Sequence, residues 1–384
     1  MNGKERVKLA MDFRESDRIP TGEFAIDYEM VSKIVGKPSL YRGRFLEDQA
    51  LAEGRWAELA EDYVEDYSRV IEFFDWDLVV VTLLPSRHGQ YRPWLKCPEE
   101  GEEVYTRGDG VLYCRTPQNW MIRFRDDRPV KGTPLPTESE LACDLPVVMP
   151  DDSCLMQIEK ITGRFGRDHH IALRIPVGFD YPMFGANEEE GFENLLLEED
   201  IIGRWIERDR KMRVAYLKMM LDRFPDVDSI LVGVDYGCNT GPLISPALFR
   251  RWIMPGWCEV ASEVHRRGKK LILHSCGNNW LLLDMFVESG IDVYQSIQIS
   301  AGMDMGELKR RYGGKLTLWG GAGMEQLIGG TPESCREEIL RSIRAAAAGG
   351  GFIAGASHSV GVGVKFANYQ AMLDAVRHPG AIPR

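Results

Sequence analysis

The chain has no apolar stretch near the ~20 residues a helix needs to cross a bilayer. Its longest runs, such as Leu281 to Leu283 with their neighbours, are far too short, so a membrane span is not expected. It also lacks an excess of positive charge. With 47 Lys and Arg against 58 Asp and Glu, the formal net charge is −11, which argues against the clustered basic surface that nucleic-acid binding requires. An acidic surface is compatible with docking a basic partner, and a homodimer is compatible with it too. The eight cysteines (Cys97, Cys114, Cys143, Cys154, Cys238, Cys258, Cys276 and Cys335) include no close pair and no C-x-x-C. That is the usage of a reducing compartment and excludes a disulfide framework. The opening M-N-G-K-E-R-V-K-L-A-M-D-F-R-E places charges inside its apolar run and has no small-residue cleavage site, so no secretory signal is read and a cytoplasmic protein is expected. Apart from Ala345 to Gly351 there is no low-complexity tract, and there is no short-period repeat.

What is present is an alternation of strands and helices. At 384 residues and 44% hydrophobic, the chain can bury a large core. Lys4 to Phe13 reads as a helix closed by S-D-R-I-P, followed by a first strand at Ile19 to Ala25 and helices within Leu46 to Phe74. D-L-V-V-V-T-L-L-P (Asp77 to Pro85) is the unbroken β-branched run of a strand buried on both faces. Between Ser86 and Pro150 the texture turns to Gly, Pro and charge, with a D-G turn that predicts a β-hairpin inserted in the fold. Strands then recur at Ile171 to Pro176, Ser229 to Val234, Lys270 to His274, Ile291 to Gln295, Lys315 to Gly321 and Gly351 to His358, with helices between them. Eight strands alternating with helices, without a G-x-G-x-x-G after the first, predict an α/β fold of the (β/α)8 TIM barrel type rather than an open doubly wound sheet. The whole of 1–384 is read as one barrel domain, with an N-terminal helical extension and first strand in 1–75 and the insertion in 86–150.

The chemistry concentrates at K-L-I-L-H-S-C-G-N, Lys270 to Asn278. Side chains i and i+2 of an extended segment share a side, so His274 and Cys276 can converge, and an imidazole nitrogen with a thiolate suits zinc. In a barrel, chemistry is assembled at the C-terminal strand ends. His358, after the eighth strand, shares that rim, so His274, Cys276 and His358 can hold a metal with a fourth position open, as catalytic zinc requires. The alternative is that all three merely pack or hydrogen-bond. Other rim residues are Asp235 and Tyr236 after V-G-V, Asp180 and Tyr181 in F-D-Y-P, and Gln298. Asp235 is the candidate catalytic or hydrogen-bonding group, and Asp180, Tyr181, Tyr236 and Gln298 are candidate substrate contacts. His169 and His170 fall at the opposite end of the barrel and read as surface.

Several stretches resemble the uroporphyrinogen decarboxylase superfamily, most of all its corrinoid-linked methyltransferase branch. They are E-R-V-K-L-A-M-D-F-R-E-S-D-R-I-P near the start, V-D-Y-G-C-N-T-G-P-L-I-S-P from Val234, L-H-S-C-G-N from Leu273, A-G-M-D-M-G-E-L-K-R-R-Y-G from Ala301 and G-G-G-F-I-A-G-A-S-H-S-V from Gly349. The resemblance implies a zinc held by the His and Cys of H-x-C-G-N, here His274 and Cys276, with His358 standing where the methyltransferases place a second cysteine. It places Gln298 where the family has an acidic group. It implies a methyl transfer between a small methylated or methoxylated compound and a corrinoid on a separate partner protein, since this chain carries no D-x-H-x-x-G. With one thiolate replaced by an imidazole, O-demethylation is the expected direction. Two alternatives stay open. One is a uroporphyrinogen-type decarboxylase, although the arginine-rich M-R-Q-A-G-R-Y segment is replaced here by a stretch bearing Glu23, Asp27 and Glu29, acids that would repel a polycarboxylate. Asp77 would then stand at the family's pyrrole-binding aspartate, or be a strand-start residue. The other is a non-catalytic scaffold that grips a corrinoid protein.

Overall fold

The computed structural model describes residues 1–126, 134–179 and 188–379. Seven parallel strands form its central sheet: β1 (Leu78–Val81), then, after an insertion carrying β2 (Leu95–Lys96), β3 (Val104–Thr106), β4 (Val111–Arg115) and β5 (Met121–Asp126), β6 (His170–Arg174) and β7 (Ser229–Gly233). A two-residue hairpin, β8 (Gly237–Cys238) and β9 (Gly241–Pro242), precedes β10 (Lys270–His274), β11 (Val293–Gln295), β12 (Thr317–Ala322) and β13 (Phe352–Ala356). The order is β1-β6-β7-β10-β11-β12-β13, every pair parallel.

The eighth stave is residues 21–22. Thr21 bridges Ala354 of β13 and Gly22 bridges Leu78 of β1, both in parallel, which closes the sheet into the expected barrel. This strand is shorter than the 19–25 expected, because Pro20 donates no backbone hydrogen bond and Phe24 and Ala25 turn into the interior. Gly22 is needed for closure. A Cβ there would lie 2.7 Å from that of Leu78.

Alternation along the strands sorts the core. Leu78, Val80, Ala172, Leu231, Ile272, Val293, Trp319 and Ile353 point inward, and Val7, Ala10 and Met11 of the N-terminal helix Gly3–Met11 join them, plugging the N-terminal end. The intervening residues, such as Val79, Leu173, Ile230, Leu271 and Leu273, pack outward against the helices. Asn2 caps the plug helix through a capping box with Glu5. The insertion is not a single hairpin but a four-stranded antiparallel sheet, β2-β3-β4-β5, with the expected D-G turn (Asp109, Gly110) between β3 and β4. Only that turn had a distinctive sequence; the turn before β5 uses Asn119 at φ 60° instead. Phe45, Trp94 and Tyr105 fasten this sheet to the N-terminal helices, and the stretch before β5 brings Gln118 and Trp120 to the barrel mouth.

Candidate metal centre and cleft

His274 is the last residue of β10 and faces inward, two residues beyond Ile272. The chain then leaves the strand through a loop tied down at every step. The Ser275 amide donates to Gln295 O (3.2 Å), the Cys276 amide to Asp235 Oδ1 (2.7 Å), and the Gly277 amide to Gln298 Oε1 (2.9 Å). Asn279 Nδ2 holds the Cys276 carbonyl at 2.9 Å from the far side. His358 arrives from beyond β13, after the Ser357 amide has bonded Ala322 O at 2.8 Å. The result is that one donor atom each of His274, Cys276 and His358 lies within 4.8 Å of the others.

The donors are prepared for a cation. Gln295 gives its amide hydrogens to Ala356 O at 3.2 Å, so its Oε1 faces His274 Nδ1, which therefore carries the ring proton. His274 Nε2 is left with its lone pair 3.4 Å from Cys276 Sγ. Burial lowers the His274 pKa to about 4, which keeps the ring neutral. Phe24 stacks on it, centroids 3.9 Å apart and planes 8° from parallel. Burial pushes the Cys276 thiol up to about 12, and the neighbouring Asp235 carboxylate adds to the shift. A divalent cation at this point would reverse that and favour the thiolate. Ser296, held at φ 77°, donates its hydroxyl to Cys276 Sγ at 3.1 Å, a bond that supports a thiolate. Two imidazoles, one thiolate and hydrogen-bonded outer partners fit zinc.

His274 and His358 line a cleft of about 420 Å³ together with Phe24, Asp27, Arg42, Arg44, Arg174, Gly233 and Asp235, and Cys276 Sγ lies 3.4 Å from His274 Nε2 at its edge. Asp235 is half exposed, with Oδ1 3.8 Å from His274 Nε2. Two of the three acids expected to make this mouth repel anions, Glu23 and Asp27, are withdrawn from that role. Glu23 is turned away, sealed against the Ala356 amide and the Tyr369 hydroxyl, and burial raises its pKa to about 8. Asp27 is neutralised by Arg42 (Nε to Oδ1, 2.9 Å) and Arg44 (Nη2 to Oδ2, 2.5 Å).

Of the other sequence candidates, Gln298 does not line the cleft but braces the loop behind Cys276. Tyr236 is a correction. Its side chain is fully buried in the outer core, donating to Phe179 O (3.1 Å) and accepting from Trp257 Nε1 (2.9 Å), because Asp235 takes the inward position and its neighbour must face out. Asp180 and Tyr181 lie outside the described residues. His170 is a second correction: it is buried, bonded to Ser229 Oγ at 3.0 Å, and only its neighbour His169 is partly exposed. Asp77 is the strand-start residue. It sits beside the plug helix, paired with Arg6 (3.1 Å) and Arg18 (2.6 Å), at the end remote from the cleft. Phe24 and Arg174 were missed, although the inward parity of β6 carried a signal for Arg174; Gln295 and Ser296 fall at a strand end that the sequence places on the rim, but their role as partners of His274 and Cys276 was not read.

Comparison with known proteins agrees with this architecture. A methyltransferase from Methanosarcina mazei superposes with a TM-score of 0.66 at 18% identity, covering 99% of this chain and 100% of its own. The 3-keto-D-glucoside 4-epimerase YcjR from E. coli (TM-score 0.37, 13% identity, 57% of this chain and 84% of its own) is a far weaker match. So is a chitinase from Chromobacterium violaceum (0.38, 10%, 80% and 94%). No curated protein matches in sequence. Residues 189–379 of this chain, the site-bearing part of the barrel with β7 to β13 and all three metal-type donors, match the uroporphyrinogen decarboxylase (URO-D) family.

Proposed function

We propose that this barrel is a zinc-dependent methyltransferase that moves a methyl group between a small methylated compound and a corrinoid carried on a separate protein, with O-demethylation as its direction. The observation that carries the reading is the meeting of His274, Cys276 and His358 within 4.8 Å at the C-terminal mouth of the barrel. The full-length likeness in fold to a methyltransferase supports it.

Bound zinc with two imidazoles and one thiolate would carry a formal charge of +1 and supply Lewis acidity toward an ether or alcohol oxygen, more than an electron-rich seat for a thiol. The chain's own residues do the rest. Gln295 keeps the proton on Nδ1 of His274 and so keeps Nε2 available. Ser296 shares its hydroxyl hydrogen with Cys276 Sγ. Asp235, fixed by the Cys276 amide, stands at the open side where it orients the departing oxygen. The plug helix and Phe24 close the floor to water, leaving access from the mouth, where the partner's corrinoid must arrive.

Metal analysis of the wild type and of Cys276→Ala tests the centre. Stoichiometric zinc in the first, lost from the second on mild chelation, is expected; equal retention removes Cys276 from the site. Direction is read from the cobalamin spectrum. Methyl should pass from an ether to cobalt(I) faster than from methylcobalamin to a thiol, and His358→Cys should shift that balance toward the thiol. A cobalamin spectrum unchanged by every methyl donor would leave a corrinoid-gripping scaffold.

One observation favours a second reading. The arginines of the cleft suit carboxylates, which a uroporphyrinogen-type decarboxylase needs. A cleft of about 420 Å³ nevertheless suits a small molecule better than a tetrapyrrole bearing many carboxylates. Release of carbon dioxide from uroporphyrinogen by the purified protein would establish the decarboxylase.

A further inference from the structure

Arg174 is the last residue of β6 and faces into the barrel two residues beyond Ala172. It lines the cleft, its guanidinium carbon 4.7 Å from the centre of the Phe24 ring. The nearby acids are committed elsewhere: Asp27 to Arg42 and Arg44, and Asp235 to the Cys276 amide. Among the described residues no carboxylate pairs with Arg174 and no carbonyl accepts from it. Burial lowers its pKa, and the neighbouring Arg42 lowers it further. A guanidinium stays protonated in proteins, so a sheltered one without an acceptor is a site that gains by binding an anion.

The space beside it is kept open by one residue. Gly233 ends β7, the strand between β6 and β10, at the inward position. A Cβ there would meet Phe24 Cζ at 3.6 Å, His274 Cδ2 at 3.7 Å and Arg174 Nη2 at 3.8 Å. The guanidinium and the imidazole of the metal-type triad therefore face each other across a gap that a glycine leaves unfilled. They are no farther apart than the sum of those last two contacts, close enough for one small molecule in the cleft to touch both.

We infer that the cleft takes a small methylated carboxylic acid, its carboxylate gripped by Arg174 and its methyl-bearing oxygen reaching the His274, Cys276 and His358 end across the gap at Gly233. Arg174 is then the residue that sets specificity for an anionic substrate. A planar guanidinium matches a carboxylate with two parallel hydrogen bonds, which a neutral amide cannot reproduce. This inference rests on the functional reading above for the role of the second end, but its test does not depend on methyl transfer.

Isothermal titration of the zinc-loaded protein with 4-methoxybenzoate and methoxyacetate, each against its uncharged amide, reads the preference directly. At least one acid should bind about ten to a hundred times more tightly than its amide, the scale of a charge-assisted contact. Arg174→Gln should erase that preference while zinc content stays unchanged, and Arg174→Lys should keep part of it. Gly233→Val, which leaves the guanidinium in place and fills the gap, should weaken the acid at least tenfold. Equal binding of acid and amide, no measurable binding of either acid, or an undiminished preference in Arg174→Gln overturns the inference. Charge-selective binding without methyl transfer would instead count against the methyltransferase reading alone. Transfer without charge selectivity would count against Arg174 alone.

Discussion

Glu23 and Phe24 are adjacent in the chain and face opposite ways, and their fates differ accordingly. Phe24 turns into the barrel and stacks on His274, while Glu23 turns out and is sealed between β13 and the C-terminal helix Phe366–Arg377. There its carboxyl meets the Ala356 amide and the Tyr369 hydroxyl, with Trp76 Nε1 donating to Tyr369 in turn at 2.9 Å. Burial raises its pKa from 4.5 to about 8. The folded chain therefore holds a proton that the unfolded chain gives up between those values. Below pH 4.5 both states are protonated and the network has its full stability. As the pH rises toward 8 the unfolded state gains by ionising, so stability falls, by an amount on the order of a few kcal/mol. Urea unfolding at pH 5 and pH 8 should show this loss in the wild type. Glu23→Gln, which has no proton to lose, should remove most of it. A pH slope unchanged in Glu23→Gln would mean that other groups cause it.

At the scale of elements, the segment from β10 to Asn279 shows what a sequence can and cannot disclose. The H-x-C pairing was legible because a period of two is fixed by the extended backbone, and His358 joined it because barrel closure places all strand ends on one rim. Gln295 and Ser296 were not legible as partners. Their role depends on the register of β10 against β11, which sets His274 beside Gln295. Tyr236 was misplaced for want of the same parity argument: with Leu231 inward, Gly233 and Asp235 follow inward and Tyr236 cannot. Nor did the four-stranded insertion announce itself, since one D-G turn marks only one of its connections. The loop has a backbone requirement of its own. Gly277 sits at φ 84°, and a Cβ there would lie 2.3 Å from the carbonyl of Gly237. Gly277→Ala should therefore cost about 2 kcal/mol or more of stability, and it should weaken zinc retention because it displaces the loop that presents Cys276. Thermal unfolding with and without a chelator measures both. A variant as stable as the wild type, with zinc held as firmly, would show that the loop tolerates the shift.

For the molecule as a whole, the two ends of the barrel carry separate tasks. The C-terminal mouth gathers arginines and metal-type donors in a protein whose net charge is −11, so the anion binding proposed there would be a local property of the cleft and not of the overall field. The N-terminal end is held by one buried carboxylate. Asp77 pairs with Arg6 of the plug helix and with Arg18 before the first stave, and it accepts the Thr21 amide at 2.8 Å. It thus ties the plug, the short stave that closes the barrel and β1 at a single point. The two arginines have other acids within reach, Asp17 at 2.6 Å for Arg6 and Asp75 at 3.2 Å for Arg18, which lessens the cost of losing Asp77. Asp77→Ala should still destabilise the protein by about 2 to 3 kcal/mol, since it strips a buried network of its common acceptor. Because the short stave is held to β13 and β1 chiefly by backbone bonds, the seam should loosen without opening, and the mouth, a barrel's length away, should keep its geometry. Urea unfolding paired with zinc analysis of the folded protein separates the two ends. Lower stability with full zinc content is expected, and zinc loss from folded Asp77→Ala would show that closure at the floor governs the centre at the mouth.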